Sequence, residues 1–219
     1  MGYSTVVFDL DGTLLDTLDD LWRAVNVALD KFSFPLRTRE EVRSFVGNGV
    51  KMLIGRAIGE IAHPKIEEVL SEFKAYYAAH CKENTRPYDG ILTILKTLKE
   101  RGIKTAVLSN KSDFATKELV KEYFGTLIER AAGENEDAGI RKKPAPDALW
   151  NTLEELGSSR EETVYVGDSE VDIQTAQNAG VDCISVTWGF KKEEFLRENG
   201  ATCLIDEPVK LLPFFGLEK

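Results

Sequence analysis

Thr5-Val6-Val7-Phe8-Asp9-Leu10-Asp11-Gly12-Thr13 decides how this chain is read. Its first four residues, apolar or β-branched, predict a short strand buried on both faces. Asp9 and Asp11 follow where that strand opens into a loop. Residues two apart on an extended chain point the same way, so both carboxylates can face one pocket. Gly12 lets the backbone turn away sharply or lets a ligand come close. A carboxylate pair at the carboxyl end of a strand suits a nucleophile with an acid/base partner, or a hard-metal site. An Asp- and Gly-rich surface turn would carry the same letters. What lies further along the chain decides between the two.

Two textures follow. From Asp16 to Asn84 the pattern is helical: Leu18, Leu21, Trp22, Val25, Leu29 and Phe32 recur at three- and four-residue steps, as do Ile66, Val69, Leu70, Phe73 and Tyr76. Beyond Pro87, apolar runs suited to buried strands (Thr105–Leu108, Thr163–Val166, Cys183–Val186) alternate with helical segments that end in glycine at Gly102, Gly125, Gly157 and Gly180. Weaker strands are expected at Glu129–Ala132 and Ala201–Ile205. Such alternation predicts an α/β fold, a doubly wound parallel sheet with helices on both faces. The first strand belongs to this sheet but is cut off from it by the helical block. The expected organisation is therefore a Rossmann-like core of residues 1–15 and 85–219, with an all-helical cap of residues 16–84 inserted after strand one.

Composition narrows the function. The 219 residues carry a net charge of −9, with 42% hydrophobic and 30% charged residues. That fits a soluble globular protein and argues against nucleic-acid or anionic-membrane partners, which need basic patches. MGYSTVVFD has no basic segment leading into an apolar run, so no secretory signal is expected. Cys81, Cys183 and Cys203 lack metal-site or disulfide spacing, as in a reducing compartment. A cytoplasmic monomer or homodimer acting on a small metabolite is expected.

Four polar segments fall at strand ends, where open α/β sheets bind ligands. They are Asp9/Asp11; Ser109-Asn110-Lys111; Lys142-Lys143-Pro144-Ala145-Pro146-Asp147; and Gly167-Asp168-Ser169-Glu170-Val171-Asp172. Each has an ordinary structural explanation, such as a turn, a solvated lysine or a helix cap. Those explanations leave the shared edge unaccounted for. Asp9, Asp11, Asp168 and Asp172 brought together would repel one another by several kcal/mol in order of magnitude unless neutralised. A dication with oxygen ligands resolves this, and Mg²⁺ takes one or two carboxylates, waters and a phosphate oxygen. Lys143 adds a fixed positive charge, and Ser109 with nearby backbone N–H groups can serve an oxyanion. The set suits phosphoryl transfer, in which positioning and charge neutralisation dominate.

FDLDGTLLD, LSNK, KKPAPD and VGDSEVDIQTAQNAG, in that order, resemble the four motifs of the haloacid dehalogenase superfamily of aspartate-nucleophile phosphatases. The resemblance covers essentially the whole chain, including a helical insert similar to that superfamily's first cap type. It implies that Asp9 attacks phosphorus and that Asp11 protonates the leaving alkoxide, then activates water. It implies that Thr13 and Ser109 bind phosphate oxygens with Asn110 close by, and that Lys143 orients Asp9. It further implies Mg²⁺ held by Asp9, Asp11 (through its carbonyl) and Asp168, with Asp172 in support. Lys142 stands beside Lys143 as a second candidate for the acting lysine.

The cap is expected to choose the substrate. Its glycine-flanked loop Val46-Gly47-Asn48-Gly49-Val50-Lys51 can receive a carboxylate on backbone N–H groups, with Lys51 or Arg56 as partner. An interhelical turn with exposed basic residues reads the same way. FVGNGV and SVTWGF resemble phosphoglycolate phosphatases, which makes 2-phosphoglycolate the expected substrate and Asn48 and Lys51 candidate substrate-binding residues. Pyrophosphatases and sugar-phosphate phosphatases or phosphomutases share much of the pattern. A phospho-receiver signalling domain also combines Asp, Mg²⁺ and Lys, although it needs neither the cap nor Asp11.

Overall fold

The computed structural model describes residues 2–217. It contains a six-stranded sheet of β1 (Thr5–Phe8), β2 (Lys104–Ser112), β3 (Arg130–Glu134), β4 (Thr163–Gly167), β5 (Asp182–Val186) and β6 (Leu204–Ile205). The strands lie in the order β3-β2-β1-β4-β5-β6 and every pair is parallel. This is the doubly wound order, which reverses direction at β1/β4 and leaves a crevice there. Val7, Ala106, Leu108 and Tyr165 share one face and pack with Leu149, Leu153, Ala176 and Ala179. The alternate residues Val6, Phe8, Val107, Val164 and Val166 are just as buried, so both faces are covered.

The expected strands are all present, with limits shifted in every one but β1. β2 runs past Leu108 to Ser112, and its register with β3 slips between those two residues. Four steps on β2 match two on β3, so Ser109-Asn110-Lys111 leaves the regular ladder while the strand continues. β6 keeps only Leu204 and Ile205 of the expected five residues.

The chain divides into two compact units, Met1–Leu15 with Pro87–Lys219, and Asp16–Arg86. The return to the core falls at Arg86/Pro87, just beyond the expected Asn84. The second unit is built from α1 (Leu18–Lys31), α2 (Arg39–Phe45), α3 (Val50–Ile58) and α4 (Ile66–His80). Its apolar stripes meet in a core of Leu21, Val25, Leu29, Leu53, Ile54, Val69 and Phe73. On α4 the buried tyrosine is Tyr77, four residues on from Phe73, while Tyr76 stacks on His80. Thr38 and Glu41 close a reciprocal capping box on α2. Buried Asp20 on α1 accepts from the backbone and side chains of both Asn84 and Thr85, tying the start of the unit to its end.

The core unit adds α5 (Ile91–Glu100), α6 (Asp113–Phe124), α7 (Asp147–Leu156), α8 (Glu170–Ala179) and α9 (Glu193–Glu198). Among the described residues no helix is long and apolar enough to cross a membrane.

Candidate active site

Strand register builds the site. Phe8 is level with Val107 on β2 and Val166 on β4, and the Asp9 N–H donates to the Val166 carbonyl at 2.8 Å. Asp9, Ser109 and Asp168 therefore emerge along one edge. Carboxylate oxygens of Asp9, Asp168 and Asp172 lie within 4.8 Å of one another, all buried.

Lys143 lies among them, 4% exposed. Its ammonium donates to Asp9 Oδ1 at 2.8 Å, Asp172 Oδ1 at 2.8 Å and the Tyr165 hydroxyl at 3.0 Å, which uses all three N–H groups. The Tyr165 hydroxyl in turn donates to the Leu108 carbonyl. Lys142 is the other lysine of the pair and its nearest acidic oxygen is Glu136 Oε2 at 3.8 Å, so Lys143 alone joins the cluster.

Charge explains how these groups coexist. Burial first, then the Asp172 charge, raises Asp9 to about 7 against the opposing pull of Lys143. Burial, then Asp9 and Asp172, pushes Asp168 well above the usual carboxylate range. Burial opposes the charged form of Lys143, but Asp172 and Asp9 outweigh it and hold the lysine well above its ordinary value. Fully ionised, three carboxylates against one ammonium would leave two negative charges; that repulsion is what raises Asp9 and Asp168, and a dication would relieve it. An all-oxygen donor set of this kind fits Mg²⁺.

The remaining predicted residues take distinct places. Asp11 stands outside the triple cluster; both of its oxygens accept from Lys111 Nζ, at 2.9 and 2.8 Å. Thr13 is fully buried and its hydroxyl donates to Asp168 Oδ1 at 3.3 Å. Ser109 Oγ accepts from the Lys111 N–H. The Asn110 side-chain amide pairs with both main-chain groups of Lys143, fixing that residue from 33 positions away. Ser169 begins α8, and its N–H and hydroxyl both donate to Asp172 Oδ2. The fourth segment thus caps a helix and furnishes the site at once.

Three braces were not legible as such. Lys111 lies two residues beyond Ser109 on an extended chain, yet nothing local marks it as the partner of Asp11. Tyr165 is a lone phenol in a valine-rich central strand. Trp188-Gly189-Phe190 clamps Asp168: the Phe190 N–H donates to Asp168 Oδ2 at 2.6 Å, and Trp188 Nε1 donates to the Thr13 carbonyl at 3.0 Å. A Cβ on Gly189 would come within 2.5 Å of Asp168 Oδ2, and one on Gly12 within 2.8 Å of the Asp168 carboxyl carbon. Only glycine leaves room for Asp168 between them.

In the helical unit, Gly47 and Gly49 take positive φ in the turn between α2 and α3. Arg56 braces that turn through the Phe45 carbonyl and Asn48 Oδ1, each at 2.7 Å. Lys51 pairs with Glu67 at 2.6 Å.

A Rossmann-like sheet with an acidic, lysine-bridged cluster at its switch point is an arrangement that suits phosphoryl transfer. Residues 6–186 match the haloacid dehalogenase-like hydrolase family, and the chain belongs to it. It is an enzyme, a phosphoric monoester hydrolase similar to phosphoglycolate phosphatases. Phosphoglycolate phosphatase 1 of Pseudomonas aeruginosa is 35% identical over 220 residues, covering 95% of this chain and 78% of that one. A crystal structure from Lactobacillus delbrueckii subsp. bulgaricus, provisionally assigned as a phosphoglycolate phosphatase, superposes with a TM-score of 0.94 at 39% identity over 99% of this chain and all of that one. CbbY from Rhodobacter sphaeroides, solved with phosphate, gives a TM-score of 0.80 at 27% identity over 98% and 100% of the two chains. Membership in a hydrolase family sets aside the receiver-domain alternative.

Proposed function

We propose that this protein hydrolyses a small phosphomonoester in the cytoplasm by way of a phospho-aspartate on Asp9, with Mg²⁺ as cofactor and 2-phosphoglycolate as substrate. The observation that carries the reading is the division of the edge carboxylates. Three gather within 4.8 Å around Lys143, and the fourth, Asp11, stands apart with its own lysine. Asp9 and Asp168, with the Asp11 carbonyl, would hold the ion, and Asp172 would support them. When bound, the ion neutralises phosphate oxygens and the carboxylates facing them.

Asp9 keeps one oxygen on Lys143, which leaves the other to attack phosphorus. The bond from phosphorus to the leaving oxygen breaks, and Asp11 gives that oxygen its proton. A water then attacks the acyl phosphate, Asp11 takes the water's proton, and the bond to Asp9 breaks to release inorganic phosphate. Splitting the hydrolysis in this way replaces one hard displacement with two easier ones. Backbone N–H groups and hydroxyls of the Thr13 and Ser109 segments would receive the phosphate oxygens, with Asn110 close by to set Lys143. Asn48 and Lys51 of the helical unit are the candidates for reading the substrate's carboxylate.

The substrate is supported by the names of the relatives and by FVGNGV and SVTWGF. Phosphate release is to be screened over phosphorylated acids, sugars, nucleotides and pyrophosphate, with and without Mg²⁺. The highest kcat/KM is expected for 2-phosphoglycolate, with loss of that preference in Lys51→Ala. A clear preference for pyrophosphate or a sugar phosphate would replace the substrate while leaving the chemistry in place. CbbY has also been solved, as a mutant, with xylulose-(1,5)-bisphosphate, so sugar bisphosphates belong in the screen.

A further inference from the structure

We propose that Lys111 is a positioning residue, which holds the Asp11 carboxyl on the leaving-group side of the reacting phosphorus and apart from the carboxylates that gather around the ion. The proposal rests on the reading of Asp11 as the acid and base of the cycle.

Asp11 is only two residues from Asp9, yet its carboxylate is missing from the cluster that Asp9, Asp168 and Asp172 form. Lys143 has no N–H left for it, since Asp9, Asp172 and Tyr165 take all three. Lys111 supplies a second cation, evenly placed at 2.9 and 2.8 Å from the two oxygens of Asp11. The pair is well shielded, with the lysine side chain 5% exposed and the aspartate side chain 12%.

Lys111 is itself held at both ends of its peptide unit. Its N–H donates to Ser109 Oγ at 3.2 Å, and its carbonyl accepts from Thr116 Oγ1 at 3.3 Å. Gly133 packs so closely that a Cβ there would lie 2.6 Å from the Lys111 carbonyl oxygen. The register of β2 with β3 shifts between Leu108 and Ser112, so Lys111 lies in the stretch that leaves the regular ladder. A buried ion pair contributes little net stability compared with apolar packing, so placement is the better explanation of what this one achieves.

In-line displacement makes a fixed position useful twice. The leaving oxygen departs opposite Asp9, and the water that later attacks the acyl phosphate arrives from that same side. In its protonated form the carboxyl can keep Lys111 on one oxygen and give the leaving oxygen the proton carried by the other; once ionised, it can accept the proton of the attacking water.

The test is a leaving-group series at saturating Mg²⁺, read as kcat/KM so that it reports the first phosphoryl transfer. An alkyl phosphate needs a proton on its departing oxygen, whereas 4-nitrophenyl phosphate hardly does. Lys111→Met should lose about 10²-fold on the alkyl ester and less than about tenfold on the nitrophenyl ester. Lys111→Arg should retain more of the alkyl-ester rate, and it carries the comparison if Lys111→Met fails to fold. Asp11→Asn should show the same selective loss, and adding Lys111→Met to it should cost nothing further. Equal losses on both esters, or additive losses in the double variant, would overturn the proposal. Equal losses on both esters in Asp11→Asn alone would overturn the reading of Asp11 as acid and base instead.

Discussion

Lys143→Met removes the cation at the centre of the site while keeping most of the side-chain volume. The ammonium it deletes lies 2.8 Å from both Asp9 and Asp172. Each carboxylate is buried, so neither can recover its lost partner from solvent. Removing one member of a buried ionic network and leaving the others uncompensated costs about 3–5 kcal/mol. Tyr165 loses an interaction as well, but it keeps its hydrogen bond to the Leu108 carbonyl. The assay is urea unfolding in chelating buffer, followed by tryptophan fluorescence, to which Trp150 and Trp188 of the core unit and Trp22 of the helical unit all contribute. The midpoint should fall by an amount equivalent to that loss with little change in slope. Mg²⁺ in excess should restore part of it, since an ion held at a hundred times its dissociation constant stabilises the native state by about 2.7 kcal/mol. Turnover should stay lost throughout. A variant as stable as wild type in chelator would refute the reasoning, because Lys143 would then not be neutralising the cluster.

Gly189→Ala should drive a methyl group into Asp168 and the Gly12 carbonyl, lowering stability by about 1–3 kcal/mol. Activity should fall by about 10²-fold if Asp168 moves by an ångström; unchanged kcat would contradict the clamp. Asp20→Asn should destabilise the helical unit by about 1–3 kcal/mol, because an amide N–H₂ would then face donors from Asn84 and Thr85. Burial alone would raise Asp20, but those donors outweigh it and hold its carboxyl below the usual value. Its stabilisation is therefore complete above the ordinary aspartate value of about 4 and fades as pH falls through the lower folded value. The wild-type advantage over Asp20→Asn should accordingly shrink in acid, and a gap constant with pH would contradict this.

Local signals carried much of the account. The β-branched run before Asp9, the glycine-terminated helices and the polar segments at strand ends are written in consecutive residues, and the sheet follows from them. Strand limits moved where tertiary pairing overrode local pattern. β2, for example, extends through three polar residues because Ser112 regains a partner in Glu134. Partnerships over long separations were not legible. Asp11 with Lys111, Asn110 with the Lys143 backbone, and Asp168 between Gly12 and Gly189 depend on how the sheet edge assembles, which no local periodicity records. Asp20 is one of two acidic residues in the first turn of α1, and only its contacts with Asn84 and Thr85 mark it as a buried tie.

The most direct test of the central claim is rapid mixing with substrate and Mg²⁺, acid quenching, and mass analysis of the peptide that contains Asp9. The wild-type peptide should carry one phosphoryl group on Asp9, and Asn at that position should abolish both the label and turnover while the fold is retained. A phosphoryl group on another residue, or continued hydrolysis by Asp9→Asn, would contradict the account.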